Sequence, residues 1–185
     1  MNNSAKVCLI TGASKGIGRA TAEKLADEGY KLALMARSAP ELEQLANKIS
    51  SAGTEVITLK TDLQKQDEII RGIEKIYAHF SRLDILVNNA GLGYFRPARE
   101  ISVEEWDEIM SVNVRSGFIL SQAVIGRMTE AKNGHIIAVA SDVSKRVFPE
   151  GSAYCASKYA QDAFFAALRK EVRASGIKVS TVYPG

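Results

Sequence analysis

The chain has 185 residues, 46% apolar and 24% charged, with a net charge of +3. That is enough for one domain with a sizeable core, and its scattered lysines and arginines form no block of the kind that follows nucleic acid. No apolar run reads as long enough to span a bilayer and no signal-peptide core precedes the first strand. Two cysteines, Cys8 and Cys155, make no disulfide framework, and Cys8 reads as a buried free thiol, so a reducing cytoplasm is expected, with no nucleic acid, membrane or metal as partner.

The first apolar run, Lys6–Thr11, is apolar on both faces, as a parallel strand covered by helices must be. It enters Thr11-Gly12-Ala13-Ser14-Lys15-Gly16-Ile17-Gly18, a glycine-rich passage into a helix over Ile17–Glu28. Glycines at such a turn permit a tight bend and bring backbone N–H groups close to a pyrophosphate, whose charge the helix N-terminus favours. The spacing is G-x-x-x-G-x-G rather than G-x-G-x-x-G, and taken alone it also fits a turn with no ligand. The second strand, Lys31–Ala36, leads to Arg37. A dinucleotide with a free ribose 2′-hydroxyl calls for a carboxylate here, and a 2′-phosphate for an arginine. Ala36 has no carboxylate, Arg37 supplies a planar fork, and Lys15 adds a second positive charge. NADP(H) is therefore expected over NAD(H), the alternative being that both cations are simply solvated.

A helix over Pro40–Ser51 and a third strand, Glu55–Lys60, lead to Thr61-Asp62-Leu63. The Asp62 carboxylate there either accepts from an adenine amino group or caps the helix over Gln64–Phe80. The fourth strand, Asp84–Asn88, runs into Asn88-Asn89-Ala90-Gly91, two amides and two small residues that can tie neighbouring loops together and admit a ligand close to the backbone. Ser102 and Glu105 have capping-box spacing before a long helix, Val103–Ala131. The fifth strand, His135–Ala140, ends at Ser141, and Tyr154 and Lys158 follow in a helix over Ser152–Ser175. Their i, i+4 spacing puts phenol and ammonium on one helix face. A free phenol titrates near 10, too high for efficient proton transfer at neutral pH, and a nearby ammonium favours the phenolate. Ser141 could donate to or accept from the same oxygen that Tyr154 serves. Alone, Y-x-x-x-K also fits a solvated helix face. The last strand, Lys178–Tyr183, ends at Pro184-Gly185. This alternation predicts a doubly wound, Rossmann-type α/β sheet of six parallel strands in a three-layer α/β/α fold, with ligands outside the strands' carboxyl ends.

TGASKGIG (11–18), Asp62, NNAG (88–91), Asn113, Ser141, YCASK (154–158) and PG (184–185) stand in the order and spacing of the short-chain dehydrogenase/reductase superfamily, which the chain resembles in its compact single-domain branch. The resemblance implies Tyr154 as general acid/base and Lys158 as holder of the nicotinamide ribose hydroxyls. It implies Ser141 as the group orienting the substrate oxygen and Asn113 as holder of a water linking Lys158 to solvent. It places Thr11, Gly12, Ser14, Lys15, Gly16, Ile17, Gly18, Asp62, Asn89, Ala90, Gly91, Pro184 and Gly185 along the cofactor, the Pro-Gly turn against the nicotinamide carboxamide; Arg37 and Leu63 join them by their positions just past strands two and three. It implies hydride exchange between nicotinamide and a carbonyl or alcohol, in a homodimer or homotetramer paired through the two long helices.

Relatives with this pattern continue past Pro-Gly into a substrate-covering segment, a strand and a helix. Residues 1–185 are therefore expected to form one dinucleotide-binding and catalytic domain lacking that segment, as a fragment or a natural short form. The alternative function is a nucleotide-binding module without turnover. The loops Gly91–Arg99 and Asp142–Gly151 should flank the pocket, with Tyr94, Phe95, Val147 and Phe148 either lining it or buried as core, and Lys145 and Arg146 meeting an acidic substrate or water. The Arg37 reading predicts that Arg37→Glu weakens NADPH binding by about tenfold or more, the scale of one charge-assisted bond, while NADH binding is largely spared. Unchanged NADPH affinity in a fluorescence titration would overturn it.

Overall fold

The structure, a computed structural model, describes residues 5–185. Strands β1 (Val7–Thr11), β2 (Lys31–Ala36), β3 (Val56–Lys60), β4 (Ile85–Asn88), β5 (Gly134–Val139) and β6 (Ile177–Val182) are all parallel, in the order β3-β2-β1-β4-β5-β6. Between them run α1 (Gly16–Asp27), α2 (Ala39–Ser51), α3 (Gln66–Phe80), α4 (Val103–Met110), α5 (Ser116–Glu130) and α6 (Ser152–Glu171). The doubly wound Rossmann-type fold is as expected. Each crossover returns a strand parallel to its neighbour, so both faces of the sheet need a helix cover.

Side chains alternate across the strands and feed two cores. Val7 and Leu9 of β1, with Met35, Leu86 and Ile136, pack against Ile69, Ile73 and Ile76 of α3, Ile119, Val124 and Met128 of α5, and Phe165 of α6. Cys8 and Ile10, with Leu32, Leu34 and Val87, pack against Ala22 of α1 and Leu42, Leu45 and Ile49 of α2. Burial holds the Cys8 thiol far above its usual range, which fits the expected packing role. At the amino end of the sheet, buried Asp84 accepts from the Val7 backbone N–H (2.8 Å), Arg82 (2.5 Å) and Asn133 (2.9 Å). That single carboxylate ties the strand starts together.

The continuous helix expected over Val103–Ala131 is interrupted. Its capping box forms as expected, Ser102 Oγ accepting from the Glu105 N–H and Glu105 reaching back to the Ser102 N–H. The chain then passes through a π-helical turn, Ser111–Arg115, before α5 resumes. The extra residue of a π-turn redirects side chains, and here it carries Asn113 into the interior. The stretch Val103–Glu130 is long and apolar enough to cross a membrane by length and composition, which corrects the reading that no run approaches that length. Half of its most apolar window is nevertheless buried inside the protein.

Close approach fixes where α5 lies on the sheet. A Cβ at Gly117 would stand 2.4 Å from Asn88 Nδ2 and 3.3 Å from Phe165 Cζ, so only glycine lets the helix sit on the end of β4. Gly126, on the same helix, would meet nothing within 4 Å. Gly117→Ala should therefore destabilise the protein by about 1–3 kcal/mol through overpacking, whereas Gly126→Ala should stabilise it by about 0.5–1 kcal/mol through helix propensity. Thermal or urea unfolding of the two variants checks the contrast; equal shifts would contradict the packing.

Candidate active site

The sheet order reverses between β1 and β4, and their carboxyl ends are sewn together there. Thr11 Oγ1 accepts from the backbone N–H groups of Asn89 and Ala90, each at 3.0 Å. Asn89 Nδ2 donates to the Thr11 carbonyl at 2.9 Å and to that of Gly12 at 3.4 Å. Gly12 has φ +65, and a Cβ on it would fall 2.9 Å from Ala90 Cα. A Cβ on Gly18 would fall 2.4 Å from the Gly12 carbonyl oxygen. These two glycines let the turn close under the start of α1. No side chain caps that helix start, where Lys15 is extended at the N-cap. Uncapped first-turn N–H groups, a positive helix end and a backbone with little side chain in the way suit a pyrophosphate. Exposed Ile17 stands at the lip, with Ser14 and Gly16 in the turn itself.

The strand ends beside this seam carry the adenosine-side candidates. The Ala13 N–H donates to the Met35 carbonyl (3.3 Å) and the Thr61 N–H to that of Ala36 (2.9 Å), so the turns after β1, β2 and β3 lie side by side. Arg37 is exposed and pairs with Glu108 of α4 at 3.4 Å. Glu108 also accepts from Tyr94 OH at 2.6 Å. Helix α3 begins later than expected, after an N-cap at Lys65 whose side chain pairs with Glu68 and does not cap the backbone. Asp62 does not cap it. Its Oδ1 accepts from the Gln64 N–H at 3.0 Å and its own N–H donates to Glu68 at 2.8 Å, closing a turn ahead of the helix. The Leu63 side chain is 6% exposed and packs into the core with α3, so it offers a ligand only its backbone.

Beyond the seam opens a cleft of about 300 Å³ whose walls include Ile17, Asn89, Gly91, Val139, Tyr154 and Lys158. Tyr154 and Lys158 share a face of α6, with Nζ 5.8 Å from the phenol ring centroid. Lys158 is 3% exposed. Its ammonium donates to the Val139 carbonyl (3.2 Å) and to Gln161 Oε1 (3.0 Å), and burial lowers its pKa to about 8. Gly93 lies against Tyr154, since a Cβ there would be 2.7 Å from the ring. Asn113, 1% exposed, donates to the Leu92 carbonyl (2.8 Å) and Ser157 Oγ (2.9 Å) and accepts from the Leu92 N–H (2.9 Å). It clamps the turn after β4 to α6. Ser141 follows the cleft residue Ala140; its Oγ accepts from the Val143 N–H and donates to Asp142, both at 3.2 Å.

The flanking loops divide differently from a buried core. Phe95 and Phe148 are 59% and 38% exposed, 5.9 Å apart, and Phe95 also meets Tyr154 edge-on at 5.3 Å. They form an aromatic wall open to solvent. Tyr94 turns to Glu108 instead, and Val147 is exposed. Lys145 pairs with Asp162, and Arg146 with Asp142. The Asp142 N–H donates to the Pro184 carbonyl (3.0 Å) and Tyr183 OH to Asp162 (2.6 Å), which holds the Pro184-Gly185 turn beside Ser141. A larger groove of about 850 Å³, lined by Tyr77, Asp84 and Arg127, lies at the other end of the sheet and contains none of these residues.

The family model for short chain dehydrogenases matches residues 6–185. The chain belongs to the short-chain dehydrogenase/reductase superfamily. It is 38% identical over 188 residues to an uncharacterised oxidoreductase of Staphylococcus saprophyticus, covering 100% of this chain and 76% of that protein. It is also 38% identical over 184 residues to glycine betaine reductase of Emericella nidulans, covering 98% of this chain but only 14% of that much longer protein. Among solved structures, a metagenomic short-chain oxidoreductase in complex with NADP superposes with a TM-score of 0.95 at 37% identity, covering 98% of this chain and 83% of that one. A short-chain dehydrogenase/reductase from Burkholderia phymatum in complex with NAD gives 0.95 at 29% identity, covering 100% and 66%. The chain is thus an oxidoreductase of this family, and family enzymes bind a nicotinamide cofactor and a small-molecule substrate.

Several residues that shape the site were not visible as site residues in the sequence. Leu92 and Ser157 are the partners of Asn113, and Ser144 Oγ donates to the Lys158 carbonyl at 3.0 Å. Asp162 anchors the last strand's end, and Gln161 holds the Lys158 ammonium. Ser157, Gln161 and Asp162 had a usable signal, spacings of three or four from Tyr154 or Lys158 on one helix.

Proposed function

We propose that the chain is an NADP(H)-dependent reductase of a hydrophobic carbonyl compound, or a dehydrogenase of the matching alcohol, with Tyr154 as general acid/base. One observation carries this reading: a phenol and a buried ammonium share a cleft that opens directly onto an uncapped, glycine-lined helix start. The nicotinamide cofactor, when bound, supplies or accepts the hydride. Tyr154 gives the carbonyl oxygen a proton in the reductive direction and takes it back from the alcohol in the other. Lys158 stabilises the negative charge that develops on the phenol oxygen and presents an N–H to the ribose hydroxyls. Ser141 orients the substrate oxygen by giving up its hydrogen bond to Asp142. The Asn113 side chain is already engaged by Leu92 and Ser157, so it contributes by holding the Gly91–Leu92 turn; any water relay is built on that frame.

Arg37, aided by Lys15, takes the 2′-phosphate, and its exposed guanidinium leaves half-buried Glu108 to do so, a surface pair weak enough to exchange. The NADP complex of the metagenomic relative supports this choice of cofactor. Phe95 and Phe148 favour an apolar substrate. Exposed Trp106, Phe118 and Tyr159, on the helices α4, α5 and α6, support assembly as a homo-oligomer through those helices. A reducing cytoplasm is the proposed compartment.

NADPH oxidation against a panel of ketones and aldehydes tests the reading. Tyr154→Phe should lower the rate by about 100-fold or more, the usual scale of general acid–base catalysis, with NADPH binding retained. Lys158 carries its charge below its pKa of about 8 and loses it above, so reduction should fall as pH rises through that value. Equal rates for parent and Tyr154→Phe would overturn the assignment, and NADPH binding with no turnover on any carbonyl would favour a nucleotide-binding module.

A further inference from the structure

Gln161 stands out as a buried polar side chain that packing does not explain. It is 1% exposed, one helical turn beyond Lys158 on α6. Its Oε1 accepts from Lys158 Nζ at 3.0 Å, while its Nε2 finds no hydrogen-bond partner among the described residues. A buried amide with an idle N–H lowers stability relative to an apolar side chain of the same size. The hydrogen bond its side chain makes among the described residues is with the Lys158 ammonium.

We infer that Gln161 is a positioning residue: its side-chain carbonyl and the Val139 carbonyl together hold the Lys158 ammonium at the floor of the cleft, in its charged form and in one direction. An ammonium has three donors and no acceptor. Two are taken by these fixed oxygens, which leaves one to serve a cofactor hydroxyl or a water. Without Gln161 the ammonium keeps a single protein acceptor and is free to rotate. The surroundings make this acceptor matter. On α6 Lys158 faces the phenol of Tyr154. From the end of β5 it meets a backbone carbonyl, and from the turn after β4 it meets Gly91, whose added Cβ would be 3.6 Å from Nζ and 3.4 Å from Asn113 Oδ1. Ser144, in the loop after β5, bonds only its backbone. None of these is a carboxylate, and burial, which disfavours the charged form, lowers its pKa to about 8. The charge is thus maintained by neutral oxygens, of which Gln161 supplies one of two.

The inference rests on the reading of Lys158 as the partner of Tyr154, but its test requires neither nucleotide nor substrate. The Lys158 Nζ resonance of the 15N-labelled protein, assigned with Lys158→Arg, is followed against pH in the parent, Gln161→Met and Gln161→Glu. Removing the oxygen in Gln161→Met should lower the Lys158 midpoint by about one unit, and adding a charge in Gln161→Glu should raise it by about one unit. Should Gln161→Met fail to fold, the isosteric Gln161→Glu decides alone. A midpoint within 0.2 units (about 0.3 kcal/mol) of the parent in every folded variant would overturn the inference and leave Gln161 as filler. Failure of the carbonyl panel would leave this result standing, and failure of this titration would leave the reductase reading standing.

Discussion

The stitching of β1 to β4 is the constraint on which the site depends. Thr11 presents one hydroxyl to two backbone N–H groups, and Asn89 returns its amide to two carbonyls of the opposing turn. These bonds occupy the polar groups that a chain reversal would otherwise leave unpaired at the edge of a buried sheet. They also fix how far the two turns stand apart, which is why Gly12 and Gly18 tolerate no Cβ. From that fixed gap follow the helix start that faces outward and the cleft that begins beside it. The Asn113 clamp extends the same seam by one layer, joining the turn after β4 to the helix that bears Tyr154 and Lys158.

Burial sets the chemistry at the far end of the seam. An exposed lysine on a helix face is an ordinary solvated cation. Lys158 is instead enclosed by β5, the turn after β4 and its own helix, and desolvation brings its pKa down to about 8. An ammonium poised there exists in both forms near neutral pH, and its environment decides which one prevails. The π-turn serves the same end. By breaking a long apolar helix at Asn113 it exchanges regular hydrogen bonding for a side chain aimed at α6.

Much of this was legible in the sequence, for identifiable reasons. Parallel strands buried on both faces read as short apolar runs, and glycine at Gly29, Gly53 and Gly176 marks helix ends where φ is positive. The placement of the Thr11–Gly18 turn, Tyr154 and Lys158 was legible because it follows from local spacing. What stayed hidden depends on contacts between distant segments. The π-turn has no periodic signature distinct from an unbroken helix. The partners of Asn113 lie 21 and 44 residues away. Leu63 looks like a cleft residue by position, yet its side chain packs into the core because α3 folds back over it. The pairing of Arg37 with Glu108 spans 71 residues, and no local pattern announces it.

If the β1–β4 seam and the start of α1 together hold the nicotinamide dinucleotide, as proposed, NADPH must perturb both. Titrating NADPH into 15N-labelled protein and following the backbone amide resonances tests it directly. Saturable shifts concentrated at Gly12–Gly18 and Asn89–Gly91 are expected. Shifts confined instead to the groove at Tyr77 and Arg127, or the absence of any saturable shift, would contradict it.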